Sequence, residues 1–124
     1  MRGKIALTVL LVASFAMAPT AAADTTESGS VSTGEIDTYA PGGPACPQVI
    51  TTWTVTLTLE DPAPTDVVSL SVEGSPGAGV DVATGQTTTA QVSFTQNNGC
   101  QPAAQVAGLV VDGSVDYTLT FDSH

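Results

Sequence analysis

The chain has 124 residues, enough for one ordinary domain and too few for two. Both basic residues, Arg2 and Lys4, stand at the start and all twelve acids follow them, so residues 24–124 carry a formal charge of −12. No side chain there can neutralise phosphate, which excludes nucleic-acid binding of the usual kind, disfavours attraction to anionic membrane, and removes Lys and Arg from every catalytic scheme.

Met1–Lys4 is a short basic stretch, and Ile5–Met17 is an apolar run. Ala21-Ala22-Ala23 then fits the small-x-small cleavage rule before Asp24. Residues 1–23 therefore read as a secretory signal peptide. Thirteen apolar residues are too few to cross ~30 Å of hydrocarbon at about 1.5 Å per residue. The expected product is secreted, extracytoplasmic and not inserted in a membrane after cleavage.

Residues 24–48 read as a flexible acidic segment rich in Pro and Gly, with one edge strand. Asp24–Ser30 is expected to be a mobile tail, and Val31–Tyr39 to hold the strand. Pro41-Gly42-Gly43-Pro44 and Pro47 form a connector that cannot be helix.

Residues 49–124 read as the core of a β-sandwich. Trp53, Val55, Leu57 and Leu59 alternate with Thr52, Thr54, Thr56 and Thr58. Successive side chains of a strand point to opposite faces, so this period of two puts the apolar set inward and the threonines outward. Val68, Leu70 and Val72 repeat the pattern, and Val80 and Val82 flank Asp81 in a short strand. Ala90, Val92 and Phe94 make another strand, and Val115, Tyr117, Leu119 and Phe121 close the series. Residues 105–111 do not alternate cleanly, which a bulge near Gly108 or burial on both faces would explain. Turn signals punctuate the runs at Pro62, Pro64, Gly74–Gly79, Gly85, Asn97-Asn98-Gly99 and Asp112-Gly113. The fold expected is all-β: an antiparallel immunoglobulin-like sandwich of about seven strands with no helix after the signal peptide.

Cys46 and Cys100 are the only cysteines, so one intramolecular pairing exists. An oxidising compartment should join them, stabilising by roughly 4 kcal/mol in the chain-entropy model. Alternating strand directions put their two loops at one end of the sandwich, as a disulfide requires. The opposite end then receives Glu60, Asp61, Asp66 and Asp112 with no cation to offset them. Those four carboxylates read either as a solvated acidic pole or as a Ca²⁺ site, since Ca²⁺ takes carboxylate and carbonyl oxygens. No EF-hand pattern is present.

Strand spacing, one core Trp and a disulfide resemble secreted prokaryotic immunoglobulin-like modules at the level of fold. Enediyne-antibiotic apoproteins are similarly small and acidic, but they carry two disulfides, and no motif here matches theirs. No functional residue is carried over from either group.

The inventory gives no catalytic and no cofactor-binding residues. A Ser–His–Asp triad would have to use His124, the terminal residue. Carboxylate pairs would need a cleft that a sandwich of this size has little room to form. Tyr39 is the one aromatic outside a clear strand, and it reads as cover for the core edge rather than a sugar-stacking platform. The outward Thr, Ser and Gln side chains offer a flat polar surface to a polysaccharide. The function expected is a secreted non-catalytic module that binds a partner protein, a polysaccharide or another cell-envelope component. The alternative is a small-ligand or calcium-binding sandwich, and no nucleic-acid partner is expected.

Overall fold

The computed structural model describes residues 24–40, 48–73 and 78–124. The signal peptide, Cys46 and the 41–47 connector lie outside the described residues. The strands are β1 (Thr25–Ser32), β2 (Ile36–Tyr39), β3 (Thr51–Glu60), β4 (Val67–Glu73), β5 (Ala78–Thr84), β6 (Thr89–Gln96), β7 (Ala103–Val110) and β8 (Ser114–Ser123). No helix occurs among the described residues. The strands form two antiparallel four-stranded sheets, a front sheet in the order β1-β8-β3-β6 and a back sheet in the order β2-β7-β4-β5. Their inner faces pack on one another as a sandwich.

There are eight strands rather than seven, and the extra one comes from the segment expected to be a tail. β1 pairs with β8 along its whole length, from Thr25 opposite Phe121 to Ser32 opposite Ser114. It carries no apolar alternation because it is an edge strand that buries only Val31 completely. Thr33-Gly34 then turns the chain, with Gly34 at φ +86°, a conformation that costs glycine little. The Glu35 carboxylate accepts the Ser32 N–H at 2.8 Å and the Ser32 hydroxyl at 3.1 Å across that turn. β2 leaves on the other sheet, so the two strands of the segment 25–39 belong to different layers.

The apolar alternation reads correctly through β3, β4, β6 and β8. Trp53, Val55, Leu57, Val68, Leu70, Leu119 and Phe121 are fully buried. Removing one such side chain to Ala costs about 2–5 kcal/mol in transfer and cavity terms. β5 departs from the pattern. Val80 and Val82 face solvent, and the inward positions belong to Gly79, Asp81 and Ala83. The cause is crowding: a Cβ on Gly79 would lie 2.6 Å from Val92 Cγ1 on β6. Asp81 instead accepts the Gln91 N–H at 2.9 Å on the edge of β6. That bond, with one from the Val82 N–H, holds its carboxyl below the usual range.

The irregularity of residues 105–111 is a bulge. Val67 pairs with Val110 and Val68 with Gly108, which leaves Leu109 as the extra residue. Gly108 is required there because a Cβ would sit 2.2 Å from the Ser32 carbonyl oxygen.

A chain of hydroxyls ties the two sheets on the β1–β2 side. Tyr117 on β8 donates to Asp37 Oδ2 on β2 at 2.5 Å. Its only proton is thereby used, so Tyr39 on β2 donates to the Tyr117 oxygen, also at 2.5 Å. The two rings meet edge to face at 6.5 Å, and Tyr39 covers the core edge as its sequence position suggested. Burial raises both phenols above their ordinary pKa of 10.0, with the Asp37 bond also raising Tyr117. The sign follows from linkage. Above pH about 10 the unfolded chain releases these protons first, so the stability they confer is complete below that pH and is lost as pH rises. Tyr117→Phe is expected to cost about 1–3 kcal/mol at neutral pH by breaking both bonds. It should also flatten the loss of stability above pH about 10. Urea unfolding at a series of pH values reads both effects, and an unchanged alkaline decline would place that sensitivity elsewhere.

Candidate binding surface

The loops expected at the acidic pole do meet. The Gly85 N–H donates to the Asp66 carbonyl at 3.0 Å, and the Asp112 N–H to Asp66 Oδ1 at 2.9 Å. Thr33 Oγ1 donates to the Val111 carbonyl at 3.1 Å and accepts the Val111 N–H at 2.8 Å, which brings in the β1–β2 turn. Of the four carboxylates considered for Ca²⁺, Asp66 turns inward. Asp66 is only 1% exposed, and its second oxygen accepts the Ala63 N–H at 2.9 Å. Both of its oxygens are thus committed to backbone donors, one in its own turn and one in the β7–β8 connection. Glu60, Asp61 and Asp112 are exposed around it, with Asp61 at φ 50°. Among the described residues no group of three or more His, Cys, Asp or Glu side chains is placed to hold a metal ion. Loop positions were readable from strand alternation, whereas the inward turn of Asp66 depends on the Ala63–Asp66 turn, which periodicity does not report.

At the opposite end Cys100 lies in the β6–β7 loop, and no described cysteine is a free thiol. Asn98 Oδ1 organises that loop by accepting the Cys100 N–H at 3.0 Å and Gln96 Nε2 at 3.2 Å. Gln96 Nε2 also donates to the Cys100 carbonyl.

The most ordered polar surface is the outer face of the front sheet. Its strands register so that side chains form ranks across it. One rank runs Ser28, Thr118, Thr58, Thr89 over β1, β8, β3 and β6. The next runs Thr26, Thr120, Thr56, Gln91 over the same strands. Asp122, Thr54 and Ser93 form a third, and Thr52 pairs with Thr95 beyond it. Neighbours in a rank stand about 4.8 Å apart, and successive ranks about 6.8 Å apart, fanned by sheet twist. Mutual bonds fix several of these groups. Thr52 and Thr95 share a hydroxyl bond of 2.9 Å, as do Thr54 and Ser93, and Gln91 Nε2 donates to Thr56 Oγ1 at 3.1 Å.

The two central ranks carry no charge, and carboxylates mark the two ends of the face. Glu60 and Asp116 face one another across β3 and β8 at one end. Asp122, Asp24 and His124 gather at the other, where Asp24 Oδ1 accepts the Ser123 N–H at 2.9 Å and His124 Nε2 lies 3.1 Å from Thr54 Oγ1. A hydrogen bond with Asp24, then desolvation and the Asp24 charge, push the Asp122 carboxyl up. No aromatic ring lies on this face, since Trp53, Tyr117 and Phe121 all point inward. It presents hydroxyl and amide groups at many points and no aromatic ring.

Comparison with known proteins returns no family model, no curated protein and no solved structure that matches this chain.

Asp66 should behave as a structural acceptor. Asp66→Ala leaves two buried N–H groups without partners and is expected to cost about 2–4 kcal/mol in urea unfolding. Asp66→Asn keeps one acceptor oxygen but turns an NH₂ toward the other donor, so it should fall between wild type and Ala. A loss below about 0.5 kcal/mol for Asp66→Ala, the range of ordinary surface substitutions, would contradict this role.

Proposed function

We propose that this protein is a secreted, non-catalytic β-sandwich, with Cys46 and Cys100 joined, that binds a cell-envelope component through its front sheet. The leader composition supports secretion, and the short basic start with a small-residue cleavage pattern carries that reading. The single observation behind the binding assignment is the hydroxyl array of β1, β8, β3 and β6. It offers donors and acceptors at a regular spacing on a rigid frame, and its centre is uncharged.

The ligand class that fits is a neutral polyhydroxylated polymer. Such a chain can replace water at several hydroxyls at once, each exchange contributing only about 0.5–1.5 kcal/mol. The carboxylates at its ends repel anionic polymers, since the mature chain holds no Lys or Arg to offset them. An extended chain spanning several ranks therefore gains affinity by repetition rather than from one deep pocket.

The test is a pull-down of the purified secreted protein on insoluble neutral and anionic cell-wall polysaccharides. Binding is expected to the neutral material, with the anionic fraction weaker by at least about tenfold. The double variant Thr56→Val, Thr120→Val removes two central hydroxyls at nearly constant shape. It should weaken binding by about tenfold, or 1.4 kcal/mol, while leaving the unfolding midpoint nearly unchanged. Equal retention of wild type and variant would remove the front face from the binding site.

A further inference from the structure

The turn Asn97-Asn98-Gly99 between β6 and β7 has a backbone unlike that of most Asn-Gly turns. Such pairs commonly serve hairpins whose central residues take positive φ. Among the described residues positive φ occurs at Gly34, Asp61 and Gly113, and at neither Asn98 nor Gly99. The Asn98 carboxamide is held by its oxygen alone. Oδ1 accepts the Cys100 N–H at 3.0 Å and Gln96 Nε2 at 3.2 Å. Its Nδ2 has no hydrogen-bond partner among the described residues, and the half-buried side chain reaches solvent. The Gly99 N–H likewise makes no hydrogen bond among the described residues.

We infer that Asn98 is a self-modifying site, at which the Gly99 nitrogen converts the side-chain amide to a carboxylate. The attacking nitrogen is the next in the chain, so no encounter is needed. Gly99 has no Cβ to obstruct the approach. As the nitrogen adds to Cγ, negative charge develops on Oδ1, the atom on which two donors already converge. The bond from Gly99 N to Cγ forms, the Cγ–Nδ2 bond breaks, and ammonia leaves with the proton that Gly99 gave up. The product is a five-membered succinimide, and water adds to one of its two carbonyls. Addition at Cγ breaks the new bond, returns a proton to the Gly99 nitrogen and leaves aspartate at position 98. Addition at the main-chain carbonyl leaves isoaspartate and a longer backbone. The Cys100 and Gln96 donors polarise the Cγ carbonyl, so the folded loop directs water there and aspartate predominates. The new carboxylate then takes the same two bonds in stronger, charge-assisted form. It adds one charge to the twelve carboxylates of residues 24–124. Gly99 is buried, so access of base to its N–H limits the rate, and conversion quickens as pH rises.

The secreted protein, kept folded in oxidising buffer at neutral and at mildly alkaline pH, tests this. Peptide mass spectrometry follows the amide, and isoaspartyl methyltransferase labelling separates the two products. Asn98 is expected to convert with aspartate as the main product. Asn97, whose following residue carries a Cβ, should keep its amide over the same time. The same chain unfolded in guanidinium, where no donors converge on Oδ1, should yield mostly isoaspartate. Gln96→Ala withdraws one donor and should slow conversion by at least about tenfold, against ~10²–10³ for a donor in a closed enzyme site. It should also shift the product toward isoaspartate. Asn98→Asp should elute from an anion exchanger with the aged protein, at an unfolding midpoint no lower than wild type. An amide that persists at position 98 in the folded protein while the unfolded chain loses it overturns the proposal. So does isoaspartate as the main folded product, or a Gln96→Ala protein that folds yet converts at the wild-type rate and ratio. If Gln96→Ala does not fold, the product ratio of folded against unfolded wild type decides alone.

Discussion

With no lysine or arginine between Asp24 and His124, the carboxylates of this fold are held by backbone N–H groups and hydroxyls in place of cations. Asp66 takes two N–H groups, Asp81 takes the edge N–H of Gln91, and Asp37 takes the Tyr117 hydroxyl. Glu35 and Asp24 each accept from a serine N–H and hydroxyl. Three of these residues join segments that the ladders alone would leave apart. Asp66 ties the turn after β3 to the β7–β8 turn, Asp81 ties β5 to β6 across the layers, and Asp37 ties β2 to β8. Hydrogen bonds to an ionised acceptor are stronger than neutral ones, commonly about 1.5–3 kcal/mol when buried. They also depend much less on salt than surface ion pairs do. An acidic chain that uses its carboxylates in this way keeps its architecture over a wide range of ionic strength.

The same device manages the open sides of the sandwich. β1 and β2 form the free edges on one side and β5 and β6 on the other. Free edges invite pairing with other chains unless something blunts them. On the second side Asp81 is an inward-turned charge that occupies a donor of β6, and Gly79 lets the strands approach closely enough for it to reach. On the first, the Tyr39–Tyr117–Asp37 chain draws the layers together over Gly29, where a Cβ would lie 2.5 Å from the Tyr117 oxygen. Among the described residues one buried side-chain polar atom has no partner, the indole N–H of Trp53. Its cost, about 1–3 kcal/mol, is offset by the large apolar area that the ring removes from water.

Which parts of this were readable in the sequence follows from which forces act locally. Strand alternation in Thr51–Glu60 and Ser114–Ser123 reports burial directly, so the inward faces of β3 and β8 and the outward threonines could be assigned. The broken alternation at 105–111 likewise pointed to the bulge that Leu109 forms. β1 was illegible because an edge strand with one buried residue needs no apolar period, and its existence rests on the ladder to β8, a contact between opposite ends of the chain. The face of Val80 and Val82 was left open for a related reason: alternation defines two faces without saying which is inside. Asp66 was assigned to its pole, but its bonds to the Ala63 and Asp112 N–H groups were not readable, since whether a loop carboxylate faces solvent or backbone is settled by turn geometry.

The division of labour between the two sheets follows from how charge is spread. Twelve carboxylates cannot all be kept from a surface this small, so they concentrate at the pole, the edges and the ends of the front sheet. What remains largely uncharged is the hydroxyl field in front and, behind, a mixed face on which Ile36, Val80 and Val82 flank Ser69 and Gln105. Each excludes the other's partner. A polyhydroxylated chain gains nothing from Ile36, Val80 and Val82, and an apolar surface would strip water from the threonine hydroxyls without replacing their hydrogen bonds.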